Sequence, residues 1–541
     1  SYALEKAKTF VGAEQYKWEL PEEEAHIKWE SNDPEATHFP TAELVFVARN
    51  FDFDQENFRL AYKFDIYAQT PVSRAYIYVD AITGEILGEN AIIHHADTPG
   101  TAETVYSGSR PIIGDSFAGQ FRLRDASRGL GIRTFDLNQA TGYGGAVDFV
   151  DADNIWDNVN PEQDEYAGDA HWGTEMCYDY FNDIHLRNSI DGAGFQLNSY
   201  VHYGVNYVNA FWDGTRMTYG DGNGGAPYTP LTSLDIAGHE ITHGLTNFTA
   251  NLIYFGESGA LNESFSDIFG TAIENFGRPG DWDWLLSADI GSSFRSLADP
   301  NLFGHPDTYL GTNWASLVGP DNGGVHTNSG VQNFWYYLLV SGGVGTNDNG
   351  DAYTVGALGF ESASAIAFRN LTVYLTDGSD HPDARFFAIQ SAIDLFGECS
   401  IEEKETTNAW YAVGVGPEYI SIVEGDFTAT AGCFPDGIVD FTDASTTVAG
   451  VLDTWAWDFG DGGTSPDASP THTFAGTGVY PVELTVTNDL GCEDVFLLDV
   501  EVFDAPVVDF TVANLCEGDL TAFTYATPIP VGAIVGRVWA F

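Results

Sequence analysis

The run of apolar and polar positions divides the chain into stretches of different character. Residues 3–11 form an amphipathic opening segment, and up to about residue 95 strand-like alternation follows, as in residues 42–48 and 75–80, with polar turns between. Residues 75–87 read as a hairpin turning at Thr83-Gly84, so the first part is expected to be a small α+β unit. Around His94-His95-Ala96-Asp97-Thr98-Pro99-Gly100 the alternation breaks, which marks a linker and processing region. Neighbours in sequence rarely share a face, so His94 and His95 are expected to be exposed there rather than to bind metal together.

From about 100 to 230 the chain is rich in Gly, Asp, Asn and aromatics, with short strand-like runs such as residues 199–203 and one long helical period at 171–184. Residues 209–212 and 217–222 read as a hairpin within this largely β half. Beyond Thr232 the period changes. Thr232 and Ser233 are good caps, Asp235 completes a capping box, and a helix is predicted over 234–247. A second helix is predicted over 258–277, with Leu261, Phe265, Ile268 and Ile273 on its apolar face, and further helices over 331–340, 362–367 and 385–395.

Helical periods then stop. Residues 424–503 show short alternating strands, such as 482–487, with turn clusters between them, the signal of a β-sandwich. Phe427, Cys433, Phe441 and Trp457 recur as Phe510, Cys516, Phe523 and Trp539, and Phe541 corresponds to Phe459. This is an internal repeat, in which the chain is expected to stop inside a second copy.

Composition narrows the classes. With 541 residues, roughly three or four domains of about 150 residues are expected. Apolar residues at 44% and aromatics at 14% are enough to build cores, despite a net charge of −58 from 79 acidic and 21 basic residues. That charge repels nucleic acid and anionic membranes and favours cations and a salty or extracellular setting. No apolar run reaches the ~18 residues of a spanning helix, and Ser1 begins without a charged-then-apolar leader, so the N-terminus is expected to be trimmed. The five cysteines lack the spacing of a thiolate metal site: Cys177 and Cys399 are either a disulfide or two buried thiols, Cys433 and Cys492 can pair within the first repeat, and Cys516 is expected to lack a partner.

The chemistry centres on His239-Glu240-Ile241-Thr242-His243. On a helix, residues four apart share a face, so His239 and His243 can present two imidazoles to one metal ion, with Glu240 beside them to take a proton from an attacking water. Twenty residues on, Glu263 and Asp267 lie again four apart on the second helix. A catalytic zinc needs a third protein ligand, which Glu263 supplies, and Asp267 can fix the tautomer of a ligand histidine.

With Gly238-His-Glu-Ile-Thr-His-Gly-Leu-Thr246, Leu252-Ile-Tyr254, Glu257-Ser-Gly-Ala-Leu-Asn-Glu263 and Ser266-Asp-Ile-Phe-Gly-Thr271 in order, residues 100–416 resemble the thermolysin family of zinc metallopeptidases. The resemblance implies one catalytic zinc on His239, His243 and Glu263, Glu240 as general base and Asp267 orienting His239. It also implies that His326, oriented by Asp321, and Tyr254 steady the oxyanion, that Arg295 holds the substrate carbonyl, and that Asn209 and Ala210 pair with the substrate backbone. Leu231, Ile236 and Phe294 imply a preference for a large apolar residue after the scissile bond. Structural calcium is implied at Asp235, Glu274, Asp281 and Asp283, and at Asp151 and Asp153. Leu286 and Ser292 stand where the family pattern has further acidic ligands, so fewer calcium ions than in thermolysin are expected.

Upstream, the hairpin at 75–87 resembles the end of a PepSY-type propeptide, which implies an intramolecular inhibitor or chaperone and a zymogen. Downstream, Trp455-Ala-Trp-Asp-Phe-Gly-Asp-Gly462, Pro470-Thr-His-Thr-Phe474 and Gly478-Val-Tyr480 resemble a PKD domain, with Trp457 in its core. The expected architecture is multidomain: an α+β propeptide (1–95), a β-rich N-terminal lobe (96–232) and a helical C-terminal lobe (233–418) of a two-lobed peptidase, a PKD-like β-sandwich (424–503) and a truncated second repeat (507–541). The expected activity is that of a secreted endopeptidase acting on proteins and peptides, its sandwich modules binding polysaccharide or matrix protein. The rival reading, a non-catalytic extracellular adhesion or binding protein on a degenerate peptidase fold, requires lost catalytic residues.

Overall fold

The fold comes from a computed structural model, which describes residues 2–540 except 14, 32, 50–56, 71–72, 93–95, 118, 158–163, 224–228, 506–507, 514–516, 519, 527–535 and 537. His94, His95, Cys516 and Phe541 lie outside the described residues. The chain forms two compact units, one of Ser1–Phe387 with Ala412–Val415, the other of Ala388–Tyr411 with Gly416–Phe541.

In the first unit the helix Tyr2–Val11 lays Leu4 and Ala7 on a sheet built from Phe58–Thr70, Ser73–Asp80 and Ile86–Ala91, burying Phe64, Ile66, Ile77 and Val79. The hairpin closes because the Asp80 carboxylate accepts the backbone N–H groups of Ile82 at 2.8 Å and Thr83 at 2.7 Å. The linker expected at 94–100 is not a linker from residue 96 on: Ala96–Thr104 is a strand paired antiparallel with Gly108–Phe117, and Pro99 lies opposite Ile113. Pro99 is tolerated because the second neighbour of this strand, Ile155–Trp156, pairs only from Thr101 onward.

The β-rich half holds a sheet in the order Val147–Asp148, Ile132–Asp136, Leu197–Val201, Met217–Tyr219, Ala210–Trp212. Ala210–Trp212 is therefore an edge strand, antiparallel to Met217–Tyr219 as the predicted hairpin requires. The helix predicted from 171 spans Asp164–Asp183. Its first turn is acidic and Gly168 and Gly173 interrupt the apolar period, which conceals its start.

The helix Leu234–Asn247 crosses the helix Gly256–Gly277, and glycine permits the approach. A Cβ on Gly238 would stand 2.9 Å from the Gly270 Cα, and one on Gly270 2.7 Å from the Asp235 carbonyl oxygen. This contact brings the histidines of one helix against the acids of the other. The N-cap is Ser233, in extended conformation, rather than the Thr232 capping box, and its hydroxyl donates to Asp235 Oδ1 at 2.5 Å instead of capping a backbone N–H.

In the second unit two sheets form a sandwich whose core holds Phe427, Phe441, Trp457, Phe459 and Phe474, with Trp457 2% exposed. The repeat reappears in the packing. Phe427, Phe441 and Trp457 form a ring cluster, with Trp457 4.8 and 5.3 Å from the other two, and Phe510, Phe523 and Trp539 form another at 5.6 and 5.7 Å. Phe510–Ala513 pairs Val512 with Phe523 just as Phe427–Ala429 pairs Ala429 with Phe441.

Cysteine pairing differs from expectation. Cys399 bonds Cys492, 93 residues away, while Cys433 is exposed and unbonded and Cys177 is a buried thiol. Cys492 is drawn to this partner because it is buried with Val423 and Val486, and Cys399 packs against that cluster. On the chain-entropy account, closing such a loop removes roughly 4.6 kcal/mol of freedom from the unfolded chain.

Candidate active site

Each ligand histidine has its Nδ1 occupied. His239 Nδ1 lies 2.8 Å from Asp267 Oδ1, and His243 Nδ1 lies 2.7 Å from Asn262 Oδ1 and 3.1 Å from Ser266 Oγ. An N–H at Nδ1 is what those oxygen acceptors require, which leaves a lone pair on each Nε2. The two Nε2 atoms are 3.1 Å apart. Glu263, fully buried, places Oε2 3.5 Å from His239 Nε2 and Oε1 3.5 Å from His243 Nε2. Glu263 Oε2 has no hydrogen-bond partner. Two imidazole lone pairs and an orphaned carboxylate oxygen converge on one point, the donor set of a zinc ion, and it is the only such gathering of three or more metal-binding side chains among the described residues.

Charge supports the same reading at His243 and the two acids, while at His239 burial is outweighed by Asp267 and Glu263, which raise its pKa. Burial pulls His243 down to about 4, outweighing Glu263, so the ring stays a neutral ligand. Burial works to raise the Glu263 carboxyl, but His239, His243, His326 and Arg295 overcome it and hold it at about 2. Asp267 is held well below the usual carboxylate range: burial opposes this, and Arg295 and His239 prevail. Its Oδ2 also accepts from Asn333 Nδ2 at 2.8 Å. Glu240, 7% exposed, is pushed by burial up to about 7.

Facing these groups, Asp321 to Gly324 turn left-handed in four consecutive residues (φ 58°, 49°, 85° and 77°). Asp and Asn tolerate that region, but side chains at the next two positions would also collide with the Leu317 carbonyl oxygen and Ala315 Cβ, each 2.5 Å from a built Cβ. The turn lets Asp321 hold His326 from two sides, Oδ1 at 2.5 Å from Nδ1 and Oδ2 at 3.0 Å from the backbone N. His326 Nε2 is 3.2 Å from the Tyr254 hydroxyl, which donates to Glu263.

A cleft of about 650 Å³ opens on these residues. Asn209 and Ala210 line one side from the edge strand, and Leu231, Ile236, Leu286 and Phe294 form an apolar wall. Arg295 also lines the cleft but is largely engaged inward, its Nε and Nη2 each 2.7 Å from Asp267 and its Nη2 3.6 Å from Glu263. The sequence does not single out Asn262 and Ser266 as supports of His243, or Asn333 as a support of Asp267. Asn262 and Ser266, next to Glu263 and Asp267 in sequence, are the two with a visible signal.

The expected calcium ligands are less united. Asp235 and Glu274 are buried, while Asp281 and Asp283 are exposed, with Asp283 Oδ1 accepting from Leu285 N at 2.6 Å. Asp151 and Asp153 form a local turn, in which Asp153 N donates to Asp151 Oδ1 at 2.9 Å.

A two-lobed fold with this histidine, histidine and glutamate set on crossing helices defines a zinc metallopeptidase. The thermolysin metallopeptidase catalytic domain matches residues 99–247, the thermolysin metallopeptidase alpha-helical domain residues 250–415, and a PKD domain residues 433–502. A bacillolysin of Bacillus caldolyticus and a thermolysin of Alicyclobacillus acidocaldarius subsp. acidocaldarius are each 38% identical over 388 residues, covering 67% of this chain and 68% of theirs. The precursor of protealysin, a metalloproteinase from Serratia proteamaculans, is a solved structure 29% identical, covering 53% of this chain and 87% of its own, with a TM-score of 0.43. The chain belongs to the thermolysin family of metallopeptidases, whose metals are catalytic zinc and structural calcium. It is a metalloendopeptidase. The adhesion reading would need a broken donor set, and the set is complete.

Proposed function

We propose that this protein hydrolyses peptide bonds in a cleft where His239, His243 and Glu263 hold zinc and Glu240 is the general base. The observation that carries the reading is the pair of Nε2 atoms 3.1 Å apart, with Glu263 oxygens 3.5 Å from each and both Nδ1 atoms already occupied. Zinc, when bound, supplies the positive charge that acidifies water and polarises a carbonyl. Glu240, pushed by burial to near neutrality, takes the proton of the attacking water. His326, its ring held by Asp321, and Tyr254 offer hydrogen bonds to the charge developing on the carbonyl oxygen, where preorganised donors act most strongly. Asp267 orients His239. Arg295 holds Asp267 in place and reaches the cleft for the substrate carbonyl. Asn209 and Ala210, beside the open edge of Ala210–Trp212, pair with the substrate backbone.

The apolar wall of Leu231, Ile236, Leu286 and Phe294 supports selection of a large apolar residue after the scissile bond. Secretion is supported by the charge of −58 and the disulfide. Residues 1–95 act as an inhibitor or chaperone of the enzyme, and the PKD modules attach it to polysaccharide or matrix protein.

Casein hydrolysis is expected to be lost in phenanthroline and restored by added zinc, with large apolar residues following the cut bonds. Activity unaffected by the chelator would refute the reading, and charged residues at that position would refute the specificity.

A further inference from the structure

The residues expected to bind calcium behind the cleft do not fit calcium, and the reason is a cation already present in the chain. Arg278 follows the last turn of the helix Gly256–Gly277, where the helix end favours positive charge, and is 5% exposed. Its Nη2 donates to Glu274 and, at 2.6 Å, to Asp289 Oδ2, and its Nη1 donates to the Tyr106 carbonyl oxygen at 3.0 Å. Three oxygens from three segments thus converge on one guanidinium.

Calcium needs six to eight oxygens at roughly 2.3–2.6 Å. Here the other buried acid is already satisfied by donors: Asp235 accepts from the Ser233 hydroxyl at 2.5 Å, from Ile236 N at 2.8 Å and from Ser287 N. Asp281 and Asp283 stay exposed, and Leu286, where the family pattern has another glutamate, is 3% exposed and apolar.

We propose that the Arg278 guanidinium takes the place of calcium at the Asp235 and Glu274 position, pairing with buried Glu274 and with Asp289 and so tying the segment Leu286 to Asp289 to the helix. That segment matters to the cleft: Leu286 and Ser287 line it, and Ser287, left-handed at φ 68°, is held by its N–H on Asp235. The wall beside the zinc site then forms without a calcium ion there, whatever calcium the chain binds elsewhere.

The test uses the full zinc-loaded chain, with Glu240→Gln added throughout to prevent self-digestion. Bound radiolabelled calcium per chain, from equilibrium dialysis at constant zinc, is expected to be the same with and without Glu274→Gln. One ion fewer in Glu274→Gln overturns the proposal. Arg278→Met is expected to lower the melting temperature by about 5 °C or more, since it leaves buried Glu274 without its cation. An unchanged melting temperature overturns it as well. If Arg278→Met does not fold, Asp289→Asn, which removes the negative charge from one guanidinium partner at a partly exposed position, is read for the same downward shift, with no shift counting against the proposal.

Discussion

Glu240→Gln is expected to keep one zinc per chain and to lower kcat on a furylacryloyl peptide by about 10³-fold, within the 10²–10⁴ range that a positioned general base contributes. The amide matches the carboxylate in shape but cannot take a proton. Because Glu240 is 7% exposed and burial holds its carboxyl at about 7, the substitution also removes a buried acid rather than a solvated one, and the fold is expected to tolerate it. Kinetics on the purified variant together with zinc by atomic absorption would decide. Activity within tenfold of the unaltered enzyme would remove Glu240 from the chemistry, and loss of zinc would reassign it to holding the metal.

Glu263→Gln is expected to have the other large effect, through the metal instead of the proton. Its Oε2 faces His239 Nε2 and Arg295 without a hydrogen-bond partner, and the neutral amide would offer the ion no charge there. Zinc content after dialysis should fall well below one per chain, with a loss of affinity beyond the 10–100-fold typical of removing a group that only orients a ligand. Turnover should fall with it and recover partly in excess zinc. A variant that keeps full zinc and normal turnover would show that the carboxylate is not a ligand.

Helical spacing and residue type made the core of the site legible in the sequence. His239 and His243 four apart, and Glu263 and Asp267 four apart, need only the helix period to be placed on two faces. That these faces meet depends on Gly238 and Gly270, whose role emerges only when the backbones are seen to touch. The calcium set is the opposite case. Asp235 and Glu274 are both buried acids on the crossing helices, but Arg278, which no spacing or motif marks, decides what neutralises Glu274. Pro99 and Gly100 signal a break in the chain, yet the strand runs through them, because a proline without a donor costs nothing where no neighbour accepts. Cysteine pairing was out of reach, since Cys399 and Cys492 are 93 residues apart and only folding brings their Cα atoms to 5.2 Å.

That bridge also changes how damage to the protein would show itself. A protease in concentrated solution nicks its own exposed loops, and strand turns between residues 399 and 492 are natural places for a cut. Any single cut in that interval leaves the two fragments covalently joined through Cys399 and Cys492. Such a molecule migrates with an undivided chain on a denaturing gel run without thiol and separates into two bands only after reduction, so preparations judged under oxidising conditions alone would pass as intact.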